Sequence, residues 1–239
     1  MNSGHGVFVT GTDTGIGKTL IACAVLDLLG KAGVSTCGFK PVAAGARLTA
    51  HGLRNDDAEQ LLAHSSIALE YEEINPVVLK EAIAPHIAAD RARVEIRIDA
   101  LARHYEALTA RARHVVVEGA GGWLVPLGGG KSVADLATAL GAPVVLVVGL
   151  RLGCLNHALL TAEDIRRRGL TLLGWVANSV DPAMPEQEAN IATLDEAIPA
   201  PRLGHVPWLE EADHATRVAR ASTCLNPESF RHLSAKPLK

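Results

Sequence analysis

The chain has 239 residues, 48% of them hydrophobic, enough to build one sizeable α/β domain with a core that folds unaided. A net charge of −3, no basic stripe and only 3% aromatic residues argue against a nucleic-acid surface, which needs clustered Lys and Arg and usually stacking rings. The longest apolar run, residues 143–150, is too short to span a bilayer, and residues 1–6 lack the charged-then-apolar pattern of a signal peptide, so a cytoplasmic protein without membrane contact is expected.

The first short apolar run, residues 7–9, leads into Gly11-Thr12-Asp13-Thr14-Gly15-Ile16-Gly17-Lys18-Thr19 and then into a helical pattern over 20–29. Strand, glycine-bearing loop and helix form the setting in which Gly-Lys-Thr means a phosphate cradle. Glycines admit positive φ, so backbone N–H groups can converge on one anion, and the helix start adds unpaired N–H groups and a positive dipole end. Lys18 offers a mobile cation and Thr19 a hydroxyl for Mg²⁺. Five residues separate Gly11 from Gly17, one more than the standard spacing, and Thr12 stands where that pattern has its glycine. The competing reading of the loop alone is a glycine turn that only caps a helix.

Further along, residues 35–42 lean towards strand, and Pro41 keeps Lys40 extended at its end. Residues 45–55 read as a loop, and a helix begins at Asp56 and Asp57. Pro76 and Pro85 break the next region into short pieces. Ile98, Leu101, Tyr105 and Leu108 mark an amphipathic helix, and residues 115–117 a buried strand closed by Glu118. Residues 119–123 and 128–130 make the segment they bracket a loop, 132–140 read as a helix, and 144–149 as a strand after Pro143. Asn156 is the expected N-cap of a helix ending at 166–168 before Gly169. A strand over 170–177 ends at Asn178; a helix of about three turns follows Pro182 and Pro185. Residues 203–207 and a weak C-terminal helix come last. The domain is drawn as 1–220, with 221–239 as a tail.

Valine-rich strands alternating with helices imply a mainly parallel sheet covered on both faces, in a single P-loop nucleotide-hydrolase-like α/β domain. Such sheets bind ligands at the carboxyl ends of their strands, where Gly11, Lys40, Glu118, Gly149 and Asn178 all fall. Lys18 and Lys40 are the cations on offer there. Glu118 is the carboxylate expected opposite the phosphate loop, with Asp57 or Asp56 supplying a second oxygen donor for Mg²⁺. Cys23, Cys37, Cys154 and Cys224 form no Cys-x-x-Cys and read as free, mostly buried thiols. Ten histidines show no metal-binding spacing and read as ordinary core or surface residues.

These residues resemble the dethiobiotin synthetases, ATP-dependent ligases of biotin biosynthesis. The resemblance runs in order through the phosphate loop, Lys40-Pro-Val-Ala, Gly52-Leu-Arg-Asn-x-Asp57, Asn75-Pro, Pro85-His, Val117-Glu-Gly-Ala-Gly-Gly-Trp123, Leu152-Gly-Cys-Leu-Asn-His157, Gly174-Trp-Val-Ala-Asn178 and Val206-Pro-Trp-Leu209. The longer loop spacing is the family's own. The resemblance implies that 7,8-diaminononanoate, CO₂ and ATP give dethiobiotin, ADP and phosphate, through a carbamate and a carbamic–phosphoric anhydride. It puts Thr19, Asp57 and Glu118 around Mg²⁺ and Lys18 and Lys40 on the reacting groups. It assigns ATP to Gly15, Ile16, Gly17, Lys18, Thr19, Leu20, Asp57, Glu118, Gly119, Ala120, Gly121, Asn178, Ser179, Pro207, Trp208 and Leu209. Asn178 is expected to read adenine. The diamine falls to Thr14, Lys40, Ala44, Gly153, Cys154, Leu155 and Asn156. The last four come from the neighbouring subunit in the family, so a homodimer is implied.

Three positions depart from the family pattern. Ala44 lacks a hydroxyl that members often carry, Gly15 replaces a Glu of some members, and Asn190 stands where an aromatic hydroxyl reaches across the dimer. A nucleotide-switch ATPase of the partitioning or metal-cluster-carrier kind is the alternative. It leaves the Gly-Ala-Gly-Gly-Trp and Leu-Gly-Cys-Leu-Asn segments without a role, and the chain has no cysteine pair for a cluster.

Overall fold

A computed structural model describes residues 6–210 and 213–230. In chain order the elements are β1 (Gly6–Gly11), α1 (Lys18–Lys31), β2 (Thr36–Phe39), β3 (Val42–Ala44), β4 (Arg47–Thr49), β5 (Gly52–Arg54), α2 (Asp56–Ala63), α3 (Tyr71–Ile74), β6 (Val77–Leu79), α4 (Pro85–Ala92) and α5 (Ile98–Thr109). There follow β7 (His114–Glu118), β8 (Pro126–Gly128), β9 (Lys131–Ser132), α6 (Val133–Leu140), β10 (Val144–Leu150), α7 (Cys154–Arg167), β11 (Leu172–Ser179), α8 (Gln187–Ala197), β12 (Arg202–Val206) and α9 (His214–Cys224).

Six strands make one parallel sheet in the order β12-β11-β10-β1-β7-β2. Its period-2 alternation sorts the valine runs onto two faces. Val7, Val9, Val116, Val145 and Val147 pack with Ile21, Val25 and Leu29 of α1 and Val218 of α9. Phe8, Val115, Val117 and Val144 pack on the other face with Leu101 of α5 and Leu136 of α6, while Leu146 and Val148 meet Ile191 and Leu194 of α8. Both faces are covered, which is why the strands read as continuous apolar runs. All six strands point the same way, so β1, β2, β7, β10 and β11 end along one rim. Chain order reverses around β1, the place where such sheets open a crevice.

Four expectations are corrected. Residues 45–55 are not a plain loop but carry the short antiparallel pair β4–β5; Leu48 is exposed there, so no buried face betrays the strands. The stretch up to Gly130, expected as one loop, carries strand β8, which pairs with β9, while Gly129 and Gly130 make the turn between them. Asn156 does not cap α7: Gly153, at φ 96°, takes the N-cap position, and the helix starts at Cys154. Residues 221–230 are not a tail in this structure. Ala221, Leu225 and Phe230 are buried, Gly204 bridges to Leu225, and the rest of the expected tail, 231–239, lies outside the described residues.

Candidate active site

The loop between β1 and α1 keeps its turns through Gly15 (φ 72°) and Gly17 (φ 85°). A side chain at Gly17 would also overlap the Asn178 amide. No described side chain caps α1, so its first N–H groups are free to face an anion. Ile16 anchors the loop from beneath and is 1% exposed; it packs so close to Gly149 that a Cβ there would collide with it. Lys18 Nζ curls back to donate to the Asp13 carbonyl at 2.8 Å. Burial, helped by the charge of Lys40, pulls the Lys18 ammonium down to about 8 against the opposing pull of Glu118 and Asp57. Asp13 is in turn paired with Arg151, just past β10.

The centre of the rim is a cluster of Lys40, Glu118, Asp57 and Thr19. Lys40 Nζ donates to Glu118 Oε1 at 2.6 Å and to Asp57 Oδ2 at 2.8 Å, and Thr19 Oγ1 donates to Glu118 Oε1 at 2.9 Å. Lys40 and Glu118 are 4% and 1% exposed, so this is a buried ion pair rather than a surface one. Burial opposes the Lys40 charge, yet the two carboxylates together keep its pKa raised. Burial would likewise raise Asp57, but Lys40 outweighs it and holds that carboxyl below its ordinary range. Glu118 is pushed up by burial and the Asp57 charge, with Lys40 and Lys18 opposing.

Lys40 is fastened as well as paired. Its N–H donates to Ile74 O at 2.8 Å, and Asn75 Nδ2 donates to its carbonyl at 2.6 Å while Asn75 Oδ1 accepts from the Tyr71 hydroxyl. Asp57 and Asp56 separate cleanly. Asp57 faces Lys40 from the first turn of α2, whose N-cap Asn55 accepts from Ala58 N, whereas Asp56, exposed at the wall of the larger of two cavities, pairs with Arg47.

Glu118 Oε2 is buried and has no hydrogen-bond partner among the described residues. With the Thr19 hydroxyl and the Asp57 carboxylate it completes a set of hard oxygen donors of the kind that Mg²⁺ takes. An orphaned buried carboxylate oxygen is costly unless a cation answers it, so the residues present fit a divalent ion.

Two cavities meet at Asp57. One, of about 620 Å³, is lined by Gly15, Gly17, Thr19, Leu20, Asp57, Asn178, Ser179 and the Pro207, Trp208 and Leu209 stretch after β12. The other, of about 520 Å³, is lined by Thr14, Lys40, Ala44, Asp57, Ala120, Gly121 and the Ala82–Pro85 segment before α4. Ala120 and Gly121 thus border the Lys40 cavity, and Gly119 packs between Phe8 and Val133. Asn178 Nδ2 donates to the Ile16 carbonyl at 2.8 Å, and Ser179 Oγ to Gln187 at 2.8 Å. Gly153, Cys154, Leu155 and Asn156 line neither cavity of one protomer. Gln60, His214 and Arg217 line the larger cavity and were not anticipated. Gln60 follows Asp57 by three residues on one helix face, a signal that was present; α9 is brought there by packing on α1, which leaves no local mark.

A glycine loop feeding a bare helix start, two buried lysines and hard oxygen donors at the carboxyl rim of a parallel sheet define a P-loop nucleotide-binding protein. Residues 5–216 match a family model described as an AAA domain. The chain is 53% identical to the ATP-dependent dethiobiotin synthetase BioD of Pseudomonas paraeruginosa (strain DSM 24068 / PA7), across 97% of this chain and 96% of that protein. It is 54% identical to the protein of the same name from Cellvibrio japonicus (strain Ueda107), across 86% and 90%. Among solved structures it is similar to the MinC:MinD cell division protein complex of Aquifex aeolicus, with TM-score 0.59 at 15% identity over 98% of this chain and 97% of that one. The ParA family ATPase from Chlorobium tepidum TLS aligns with TM-score 0.55 at 12% identity over 96% and 95%. These two likenesses establish the P-loop fold alone. The chain belongs to the family of ATP-dependent dethiobiotin synthetases.

Proposed function

We propose that the protein carboxylates and cyclises 7,8-diaminononanoate with CO₂ and ATP, giving dethiobiotin, ADP and phosphate. The names of its relatives carry the reaction class. The observation that supports this reading at the site is the shared wall between the cavities: Asp57 borders both, and Lys40 reaches it from the smaller one. A nucleotide in the larger cavity and a diamine in the smaller one would present their reacting ends to one pair of lysines.

In this reading one amine nitrogen attacks CO₂ and loses a proton, forming a carbamate. A carbamate oxygen then attacks the γ-phosphorus, and ADP leaves with the electrons of the broken P–O bond. The second amine attacks the carbamoyl carbon, phosphate departs, and the ureido ring closes with loss of another proton. Lys18 and Lys40 hold charge on the carbamate and γ-phosphate. A unit pair at 4 Å is worth on the order of 4 kcal/mol at an effective dielectric near 20, so two lysines matter to phosphoryl transfer, which works mostly by positioning and charge neutralisation. Thr19, Asp57 and Glu118 would hold Mg²⁺, which supplies further neutralisation of phosphate charge. Glu118 Oε2, unpartnered while Oε1 holds Lys40, is the oxygen that would face the ion.

Gly15–Leu20 cradle the phosphates, Asn178 and Ser179 face the base, and Pro207, Trp208 and Leu209 flank base and ribose. Thr14 and Ala44 border the diamine; without a hydroxyl at 44, backbone and Thr14 carry the polar contacts. Homodimerisation belongs to the same proposal. Gly153–Asn156 lie outside the cavities of their own protomer, and Leu152 beside them is 96% exposed, with Leu124 and Leu160 also exposed. No described helix is long and apolar enough to cross a membrane, and a cytoplasmic location is the one proposed. The decisive assay is ADP release measured with and without CO₂ and diamine, with the product identified by mass. Release that needs both, with a cyclic product, is the expected result. ATP hydrolysis indifferent to the diamine would point to the nucleotide-switch reading.

A further inference from the structure

Behind the nucleotide cavity, on the α1 face of the sheet, the fold gathers three side chains that the reaction does not use. Cys23 comes from the middle of α1, His64 from the C-cap of α2 and His214 from the first position of α9. One donor atom from each lies within 4.8 Å of the others. Cys23 is fully buried, the two imidazoles are half-buried, and their rings meet edge-to-face at 6.1 Å. His214 Nε2 is buried and has no hydrogen-bond partner among the described residues. An imidazole nitrogen kept from water and left without a partner costs free energy that something must offset.

We propose that Cys23, His64 and His214 bind one borderline-soft divalent cation of the zinc class. One sulfur and two imidazole nitrogens are a donor set that zinc takes and that Mg²⁺, which prefers oxygens, does not. Around a tetrahedral zinc these donors would stand roughly 3.3–3.8 Å apart, given the usual Zn–S and Zn–N lengths. Closure from the present spacing asks for shifts of about an ångström, within the range of imidazole and thiol torsions. Three protein donors leave the fourth position to water. Burial pushes the Cys23 thiol well up, so in the metal-free protein it stays protonated; zinc takes the place of that proton, which passes to solvent. Entry is provided by the larger cavity, whose wall includes His214. The ion would tie α9 across to α1 and α2, three elements otherwise joined through apolar contacts at this point.

The test uses the full chain without nucleotide, so that it does not depend on the proposed reaction. The protein is stripped with a chelator and titrated with zinc against a chromogenic competitor, then separately with cobalt(II) as a spectroscopic stand-in. The expected result is one ion per chain, a thiolate-to-cobalt charge-transfer band in the near ultraviolet, and a zinc-dependent rise in Tm. Cys23→Ala should abolish the band, and His64→Gln and His214→Gln should each weaken zinc binding at least tenfold. The histidine variants change half-exposed positions and keep the proposal testable if the core substitution fails to fold; circular dichroism checks each. Zinc bound with unchanged affinity in both histidine variants, a cobalt spectrum without the sulfur band, or no stoichiometric binding would each overturn it.

Discussion

Lys40→Met isolates what the lysine does for the fold as distinct from the reaction. Methionine keeps the stem and removes the charge, so Glu118 Oε1 loses its 2.6 Å partner and keeps only the Thr19 hydroxyl, while Oε2 has none. Glu118 is 1% exposed and cannot turn to water. Removing one partner of a buried pair costs about 3–5 kcal/mol. For a chain of this size that is a fall of roughly 6–20 °C in Tm. Acid should relieve it. Burial already pushes Glu118 up, and without Lys40 its folded pKa stands further above the unfolded value near 4.3. The folded state then binds more protons than the unfolded one between those two values, so stability falls as pH rises through them. The deficit against wild type should be full at alkaline pH and shrink as pH falls towards about 4.3. Urea unfolding followed by circular dichroism across that range measures it. Adding Glu118→Gln should recover on the order of 2 kcal/mol of the loss, a coupling expected of groups in contact. A Lys40→Met midpoint equal to wild type at pH 8, or a deficit that does not change with acid, would refute the dependence of Glu118 on this lysine.

Lys18→Ala should lower turnover about 100-fold or more, as removal of a preorganised charge-stabilising group does, with urea stability little changed; steady-state kinetics decide. Gly17→Ala must hold a side chain at φ 85° against the Asn178 amide, and left-handed backbone alone costs about 1–2 kcal/mol. Nucleotide affinity by calorimetry should weaken about tenfold or more. Phe230→Ala empties a site that is 1% exposed and should cost about 3–5 kcal/mol, whereas a residue of a loose tail would cost nothing measurable in the same urea titration.

What was legible in the sequence was what local pattern controls. The strands at 7–9, 115–117 and 144–149 announce themselves because they are buried on both faces, and Glu118 and Lys40 because they sit where such strands stop. The β4–β5 pair could not be read, since Leu48 is 73% exposed and its strands bury no face. At 153–156 two signals competed. Asn156 is a good cap by residue type, yet Gly153 can take the left-handed turn that starts α7 three residues earlier. The C-terminal helix and Phe230 look like a fading tail because α9 packs on α1, at the other end of the chain, and Phe230 joins the same buried cluster. His214 and Arg217 reach the larger cavity for the same reason. Cys23, His64 and His214 show no metal spacing in sequence because three separate elements carry them.

The cluster at the rim follows from strand register as much as from residue identity. Phe39 pairs with Val117 and Val9 with Glu118, so the chain leaving β2 sets Lys40 alongside the end of β7, while β1 delivers the phosphate loop beside both. In a strand a slip of one residue turns every side chain to the opposite face. Here such a slip would turn Phe39 and Val117 to the opposite, equally covered face, against neighbours they do not fit, and move Lys40 away from Glu118 in the same step. The buried valines and Phe8 that specify register therefore also specify the distance between lysine and carboxylate. Pro41 and Asn75 then fix the direction of the one residue that register leaves free, because Lys40 is already past the last ladder pair. Core packing and site geometry are thus one constraint in this fold, and a change that loosens β2 against β7 should reach the rim even when it touches no polar group there.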